Sequence, residues 1–243
     1  MTVVIFAGPS LPPRARPAIA ADWRPPVRQG ELYRAALDRP EVIGVIDGYF
    51  EVTPTVWHKE ILWAMAQGIH VFGAASIGAL RAAELDAFGM RGVGRVYEDF
   101  RAGVLGDDDE VAVLHGPAEL GYPPLTEAMV NIRATLAAAL GDAVVAPSLA
   151  DRLTSAAKAL FYKERTWRAV LDAAAASGGD TQALTRFETW LPTGRIDQKR
   201  RDALALIEAI AAHRAANPPP LKVDYELADT AAWRAVRRRR VSY

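Results

Sequence analysis

Two side chains in the segment 41–85 have the chemistry for covalent hydrolysis of an acyl group, and the first is a serine. Ser76 is the middle residue of the pentapeptide AASIG. A small residue two positions to either side of a hydroxyl is typical of a nucleophile elbow, here with Ala74 in place of the usual glycine. A serine directly before an apolar helical run is also a good helix cap. The sequence leaves both interpretations open.

Lys59 is the second side chain, and its chemistry is that of a general base. We expect its helix to begin with Thr53 as the cap and Pro54 at the first position, and to end at Gly68. Apolar side chains cover nearly the whole circumference of this helix, which should therefore be largely buried. Burial would desolvate the lysine and favour the neutral amine, which can accept a proton. The alternative is a lysine that extends its amine into water.

Buried parallel strands should bring these residues to one edge of a sheet. The apolar runs 42–46 and 69–73 flank the Lys59 helix, and a right-handed crossover makes them parallel neighbours. Val3–Phe6 is a further apolar strand. Open α/β sheets bind ligands at the carboxyl ends of their strands. Four polar residues should gather at this edge: Ser10, Asp47, Lys59 and Ser76.

Composition narrows the chemistry. The 243 residues include 29 basic and 29 acidic ones, so net charge favours neither a nucleic acid nor an anionic membrane as partner. Cysteine is absent, which excludes disulfides, thiolate nucleophiles and thiolate metal sites. Covalent catalysis must therefore use oxygen or nitrogen. The four histidines lack metal-site spacing, and we expect neither a metal nor a cofactor.

The pattern of apolar residues predicts an α/β fold, in which an N-terminal, mostly parallel sheet with flanking helices precedes an all-helical C-terminal region. The predicted divisions are an α/β catalytic domain at 1–120, a helical region at 121–216, and a proline-rich linker with a basic tail at 217–243. The basic run 237–240 is interpreted as a solvated tail or as a contact for an acidic partner. No apolar run reaches the roughly 20 residues that span a bilayer, and no signal peptide is recognised, which predicts a cytoplasmic protein.

Local patterns predict the remaining elements. Residues 111–114 form a possible strand, and the glycines at 89, 92 and 94 indicate a turn between helices more than a dinucleotide fingerprint. The acidic run 107–110 lacks the alternate spacing of a calcium loop and is interpreted as a solvated turn. Helices are predicted at Glu31–Leu37, 127–140, 148–176, 181–190, 197–216 and 228–240.

Several blocks of this sequence resemble the TfuA-like family, the partner proteins of YcaO enzymes in peptide backbone thioamidation. The matching blocks are VIFAGPSL, IGVIDGYF, VWHKEIL, GAASIGALRAAEL, GMRGVGRVYEDF, DDDEVAVLHGP and EAMVNIR. They cover roughly residues 2–135, and the combination of HKEIL with GAASIGALRAAEL is the most specific part. The helical remainder matches by composition only.

The resemblance implies a hydrolase that acts on the thiocarboxylate of a small ubiquitin-like sulfur carrier of the ThiS type. It releases sulfide for the YcaO enzyme, which it contacts directly, and the precursor peptide or protein is a further candidate partner. The family's catalytic serine and lysine fall on Ser76 and Lys59. Two alternatives stay open: a non-catalytic adaptor that binds YcaO and its peptide, and a general hydrolase of small thioesters.

Two further residues are candidates for binding the carrier. Arg81, one turn into the helix after Ser76, would pair with the carrier's terminal group or form a structural salt bridge with Glu84. His58 points about 100° away from Lys59 around the helix, so it joins the site only if the pocket wraps that end. Backbone amides at the start of the helix after Ser76 are candidate oxyanion donors.

Overall fold

The computed structural model describes residues 2–49, 51 and 53–238. The chain divides into two compact units, of which the first contains the described residues of Met1–Gly106 and Arg200–Tyr243, and the second is Asp107–Lys199. None of the described helices is long and apolar enough to cross a membrane.

A five-stranded parallel sheet forms the centre of the first unit. Its strands are β1 (Val3–Phe6), β2 (Asp22–Arg24), β3 (Val42–Val45), β4 (His70–Ala74) and β5 (Arg91–Val93). Their spatial order is β2-β1-β3-β4-β5, with every neighbouring pair parallel. The order of the strands reverses between β1 and β3, and in open α/β sheets ligands bind beside such a reversal.

Ten α-helices lie within the described residues. They are α1 (Glu31–Leu37), α2 (His58–Ala66), α3 (Ile77–Leu85), α4 (Arg95–Arg101), α5 (Met129–Gly141), α6 (Pro147–Ala159), α7 (Trp167–Ala176), α8 (Thr181–Gly194), α9 (Gln198–Ala215) and α10 (Ala231–Arg238). The N-terminal parallel sheet with flanking helices and the helical C-terminal region confirm the predicted fold class.

Both faces of the sheet are covered, which explains why β1, β3 and β4 are buried along their whole length. Helices α1, α2 and α3 pack on one face, and α9 packs on the other through Leu206 and Ile210. Gly44 allows α9 to approach closely, because a Cβ at this position would lie 3.0 Å from Cδ1 of Ile210. The sheet therefore depends on a helix distant in sequence.

The compact units divide the chain at different positions from the predicted boundaries. Helix α9 covers a face of the sheet, so residues after Arg200 belong with the first unit and not with a separate helical region. The acidic run after Gly106 belongs with the second unit, where Glu110 pairs with Arg133 at 2.9 Å. These long-range contacts have no local sequence signature.

Some predicted elements were wrong. Residues 111–114 form no strand, and the glycine-rich segment contains β5 where a turn between helices was expected. The long helix predicted at 148–176 is two helices, α6 and α7, with an irregular connection between them. In contrast, β1 and α1 have the predicted bounds, β3 ends one residue earlier than predicted, and β4 is shifted by one residue at both ends.

The second unit is a cluster of the helices α5, α6, α7 and α8 around an apolar core that includes Leu136, Leu153, Val170 and Phe187. Two of these helices begin with a side-chain cap. The hydroxyl of Thr166 accepts a hydrogen bond from the Ala169 amide at the start of α7, and Asp180 caps α8 in the same way.

Candidate active site

A strained turn connects β4 to α3. The Ser76 amide donates a 2.7 Å hydrogen bond to the Ala74 carbonyl, two residues back, and the intervening Ala75 has φ +66°. This is a γ-turn of the positive-φ form, which is rare because the backbone is strained. Strain of this kind costs about 1–3 kcal/mol and is concentrated at functional sites.

Ser76 follows the turn and precedes the first residue of α3. Its side chain makes no capping hydrogen bond to the helix, and no hydrogen bond joins its hydroxyl to any described residue. The residue is 8% exposed. The helix-cap interpretation of this serine is therefore wrong, and the hydroxyl is left available for another role.

Small residues hold the start of α3 against the sheet. A Cβ on Gly78 would lie 1.8 Å from the Val45 carbonyl oxygen, and one on Gly73 would lie 2.1 Å from the Gly78 carbonyl oxygen. The Gly78 amide donates to the carbonyl of Ile46 at 3.4 Å. Consequently the turn that carries Ser76 lies beside the carboxyl end of β3.

The Ile77 amide is the best-placed oxyanion donor. The amides of Gly78, Ala79 and Leu80 already donate to backbone carbonyls, whereas the Ile77 amide has no acceptor among the described residues. In nucleophile elbows the amide of the residue after the nucleophile supplies one of the oxyanion contacts. The candidate oxyanion donors at the start of α3 therefore narrow to one amide.

Ser10 and Asp47 meet at this edge of the sheet. Asp47 Oδ1 accepts a 2.6 Å hydrogen bond from the Ser10 hydroxyl, and its Oδ2 accepts from the amides of Gly8 and Ser10 at 2.8 and 3.0 Å. Both side chains are buried. The carboxylate fixes the loop after β1 beside the end of β3.

Lys59 is half-buried and contacts the C-terminal segment. Its amine donates to the Ala228 carbonyl and lies 3.5 Å from the Thr230 hydroxyl. No hydrogen bond connects it to Ser76 within the described chain. The structure thus places the lysine on the helix beside α3, with its amine engaged elsewhere.

The helix that carries Lys59 begins later than predicted. The structure starts α2 at His58, with Trp57 in the capping position, and not at Thr53 and Pro54. Glu60 explains this start, because its buried carboxylate accepts a 3.1 Å hydrogen bond from the Trp57 amide. Burial raises the pKa of Glu60, while hydrogen bonds from three backbone amides oppose that rise. Lys59 is therefore in the first turn of its helix.

The segment that contacts Lys59 runs along α2, and we call residues 218–238 the C-terminal strap. The Leu221 amide donates to the Gly68 carbonyl at 3.0 Å, and the Tyr225 hydroxyl donates to the Leu62 carbonyl at 2.8 Å. Trp233 is buried, with its ring centroid 5.2 Å from that of Tyr33. Arg237 and Arg238 of the basic run are exposed, as the solvated-tail interpretation predicts, although Trp233 and Val236 of the same helix are buried. Residues 239–240 of the run lie outside the described residues.

His58 and Arg81 are connected through Glu84. His58 Nε2 lies 2.8 Å from Glu84 Oε2, and Arg81 Nη1 donates to the same oxygen at 2.6 Å. Burial alone would raise the pKa of Glu84, but the His58 hydrogen bond and the Arg81 charge outweigh it and lower that pKa. Arg81 also donates to the Val56 carbonyl at 3.2 Å. The structural salt bridge expected for Arg81 is present.

The acidic run 107–110 is compensated by cations of the second unit. Asp107, Asp109 and Glu110 lie close enough together to suggest a metal site. Lys158 pairs with all three carboxylates, and Arg165 contacts Asp109 at 2.7 Å. The cluster therefore has a structural explanation.

The geometry defines a parallel α/β protein with a serine in a strained turn at the carboxyl edge of its sheet. Residues 47–166 match the family described as TfuA-like protein, and the chain belongs to that family. The match begins at Asp47 and includes Lys59 and Ser76. A search of curated proteins found no match. Family membership supports a role in the YcaO-associated thioamidation system.

The sequence did not predict three features of this site: the strain at Ala75, the contact of both His58 and Arg81 with Glu84, and the packing of the C-terminal strap along α2. The sequence did not indicate the positive φ at Ala75, because alanine is common in helices and strands and, unlike glycine, is not typical of a left-handed backbone conformation. The sequence of the strap did contain a signal, since Leu221, Val223, Tyr225 and Trp233 are large apolar residues that a solvated segment would not need.

Proposed function

We propose that this protein hydrolyses the thiocarboxylate at the terminus of a ThiS-type sulfur carrier and so supplies sulfide to a YcaO enzyme. The observation that carries the proposal is the hydroxyl of Ser76, which is held by a strained turn, forms no bond to the described chain and adjoins the unengaged amide of Ile77. Family membership supplies the biochemical setting.

In the proposed reaction the neutral amine of Lys59 removes the proton from the Ser76 hydroxyl, and the oxygen attacks the thiocarboxylate carbon. The negative charge that develops on the carbonyl oxygen is stabilised by the Ile77 amide. The tetrahedral intermediate then breaks its carbon–sulfur bond, and sulfide leaves with the proton from Lys59. Water hydrolyses the acyl-serine, which yields the carrier carboxylate and restores the Ser76 hydroxyl.

This reaction requires the Lys59 amine to leave the C-terminal strap. The amine's present partners are the Ala228 carbonyl and the Thr230 hydroxyl, both on exposed residues. An exposed hydrogen bond exchanges with water at little cost in free energy. A carrier or YcaO that binds over the strap would displace Ala228 and Thr230 from the Lys59 amine, so that the amine can act as the base. The rate of hydrolysis would then depend on the bound partner.

The other predicted residues have supporting roles in this proposal. Asp47 and Ser10 position the loop after β1, which forms one wall of the ligand edge. Arg81 is buried and paired with Glu84, so it supports the start of the site from within α3, whereas the partly exposed His58 is the candidate contact for the carrier's carboxyl-terminal segment. The precursor peptide would bind either beside His58 on the first unit or to the YcaO partner itself.

Sulfide release from a thiocarboxylated carrier tests the proposal. Ser76→Ala and Lys59→Met should each lower the rate by about 100-fold or more, because each removes a group that acts in the transition state. Ser155→Ala, at an exposed position of the second unit, is the matched control and should keep the rate of the unmodified protein. Unchanged sulfide release by Ser76→Ala would refute the hydrolase.

A non-catalytic adaptor is the second candidate, favoured by the engagement of Lys59 with the strap. In that case Ser76→Ala and Lys59→Met would both support thioamidation by YcaO in a reconstituted reaction. Disruption of the strap would instead abolish co-purification with YcaO. The third possibility is a general acyl hydrolase. It predicts that the protein hydrolyses small thioesters when no protein partner is present.

A further inference from the structure

The loop after β3 carries a second backbone amide without an acceptor in the described part of the chain. Asp47 donates its amide to the Phe6 carbonyl at 3.3 Å and accepts at its own carbonyl from the Val27 amide at 2.9 Å. The Tyr49 amide donates to the Val27 carbonyl at 3.2 Å. Gly48 lies between Asp47 and Tyr49, and its amide makes no hydrogen bond to any described residue. Because Gly48 is partly exposed, a ligand can reach this loop.

The pairing pattern gives the direction of this unbonded amide. Successive residues of an extended strand present their amides and carbonyls to opposite sides in the plane of the sheet. Both neighbours of Gly48 bond toward β1 and the segment after β2, so Gly48 presents its amide toward the side of β4. The start of α3 lies on that side, since the Gly78 amide donates to the Ile46 carbonyl at 3.4 Å. The Gly48 amide therefore points toward the turn that carries Ser76.

Gly48 also contacts the residue that follows the serine. A Cβ on Gly48 would lie 2.7 Å from Cγ2 of Ile77, a separation that side-chain carbons do not adopt. The φ of Gly48 is not positive, so the backbone conformation does not require glycine here. The missing side chain is instead required by the close approach of the loop to Ile77. The unbonded amides of Gly48 and Ile77 thus belong to two segments that touch each other.

We propose that the Gly48 amide is the second donor of an oxyanion hole, in which it and the Ile77 amide hold the thiocarboxylate oxygen while Ser76 attacks. The inference rests on the proposed hydrolase. Nucleophile elbows combine the amide after the nucleophile with one from another strand-to-helix loop, and the loop after β3 is such a segment, since it leads to α2. Both amides donate hydrogen bonds and transfer no proton, so the Ser76 proton and the sulfide leave as in the proposed reaction.

Two donors matter for this substrate because of its charge. A thiocarboxylate is already an anion, with its charge shared between oxygen and sulfur, and attack by the Ser76 oxygen adds a second negative charge. Amide hydrogens bond more strongly to oxygen than to sulfur, which is a weak acceptor. A pair of amides therefore binds the oxygen, stabilises the charge that develops there and leaves the sulfur as the departing group.

A backbone ester in the full chain tests this donor directly. Replacing Gly48 by glycolic acid exchanges the amide N–H for an oxygen and adds no side chain. The kcat for sulfide release from a thiocarboxylated carrier should fall about 100-fold, the loss typical of an oxyanion donor, with KM unchanged. The same replacement at the exposed Gly106 is the matched control and should keep the kcat of the unmodified protein. An unchanged kcat for the Gly48 ester, or an equal fall for both esters, would overturn the inference.

An added methyl group tests the close approach of the loop to the turn. Gly48→Ala keeps the amide but places a Cβ against Ile77, so it should displace the donor and lower kcat about tenfold or more. Gly106→Ala, whose Cβ would meet no atom within 4 Å, should keep kcat. In an Ile77→Ala background, where the opposing atom is absent, Gly48→Ala should cost less. The same fold loss in both backgrounds would overturn the close approach on which the inference depends.

Ser76→Ala, assayed in parallel, separates this inference from the proposed hydrolase. We expect both Ser76→Ala and the Gly48 ester to lose sulfide release. If Ser76→Ala is inactive while the Gly48 ester keeps its full kcat, the hydrolase stands and the second donor is wrong. If Ser76→Ala releases sulfide at the rate of the unmodified protein, the hydrolase is refuted, and the oxyanion hole is refuted with it.

Discussion

The Ser76 amide donates a 2.7 Å hydrogen bond to the Ala74 carbonyl, and this bond forces Ala75 into a positive φ directly before the serine. The turn projects a hydroxyl that has no hydrogen-bonding role in the described fold. A structural serine would show the opposite, with its hydroxyl bonded to the helix that it begins. The relation between these two residues is the physical basis of the catalytic role that we propose for Ser76.

Ala75→Val should destabilise the protein because a β-branched side chain opposes the positive φ and the site is fully buried. We expect the free energy of unfolding to fall by about 2–4 kcal/mol from backbone strain and overpacking together. Ala75→Gly, which tolerates this φ, should stay within about 1 kcal/mol of the unmodified protein. Urea unfolding measures both, and equal stability of the two variants would argue against strain in the turn.

Ser76→Ala should leave stability nearly unchanged, within about 0.5 kcal/mol, because the hydroxyl makes no hydrogen bond to the described residues. Thr166→Ala is the internal comparison, since that hydroxyl does cap a helix, through the Ala169 amide at 3.2 Å. Its loss should cost about 1 kcal/mol. A similar loss for Ser76→Ala in the same denaturation experiment would restore the helix-cap interpretation.

Asp47→Asn should destabilise the loop after β1 more than Ser10→Ala does. The amide side chain of asparagine offers only one acceptor oxygen, so a buried donor of Gly8 or Ser10 loses its partner at a cost of about 2–3 kcal/mol. Ser10→Ala removes one bond and leaves the carboxylate with two amides, so about 1 kcal/mol is expected. Urea denaturation midpoints compare the stabilities of Asp47→Asn and Ser10→Ala. A lower midpoint for Ser10→Ala than for Asp47→Asn would show that the carboxylate does not hold this loop.

Glu84 should make stability depend on pH at the acidic end. Burial raises the pKa of its carboxyl, but the contacts with His58 and Arg81 outweigh burial and lower the pKa below its usual value of 4.5. The charged form is thus favoured by folding, so the stabilisation is complete above pH 4.5 and is lost as pH falls through the lowered pKa. Thermal unfolding at several pH values measures this effect. The Tm of Glu84→Gln should fall less steeply with acidification than the Tm of the unmodified protein. Parallel pH profiles would contradict the assignment.

Trp233→Ala should release the C-terminal strap without unfolding the sheet. Trp233 is buried against Tyr33, and removing its ring costs several kcal/mol, about 3–5 for a core tryptophan. Hydrogen exchange at the amides from Leu221 to Arg234 should accelerate, while β3 and β4 remain protected. Lys222→Ala, at an exposed position of the same strap, is the control and should leave these exchange rates unchanged. Equal exchange in the two variants would show that Trp233 does not hold the strap.

The amino-acid sequence by itself determined the local elements around the site. Val3–Phe6 and Glu31–Leu37 have their predicted bounds, because continuous apolar runs and helical periodicity are properties of neighbouring residues. The blocks around Lys59 and Ser76 also sufficed to recognise the family, which the match over residues 47–166 confirms. The meeting of Ser10 with Asp47 followed from parallel strands that end at one edge.

Only the tertiary structure decided which partner each polar group takes. Glu60 starts α2 at His58 because it reaches the Trp57 amide, although Thr53 and Pro54 have the better capping chemistry. The Lys59 amine bonds to the carbonyl of Ala228, which is far away in sequence. Such contacts join residues distant along the chain, and their energies depend on packing that no local pattern encodes.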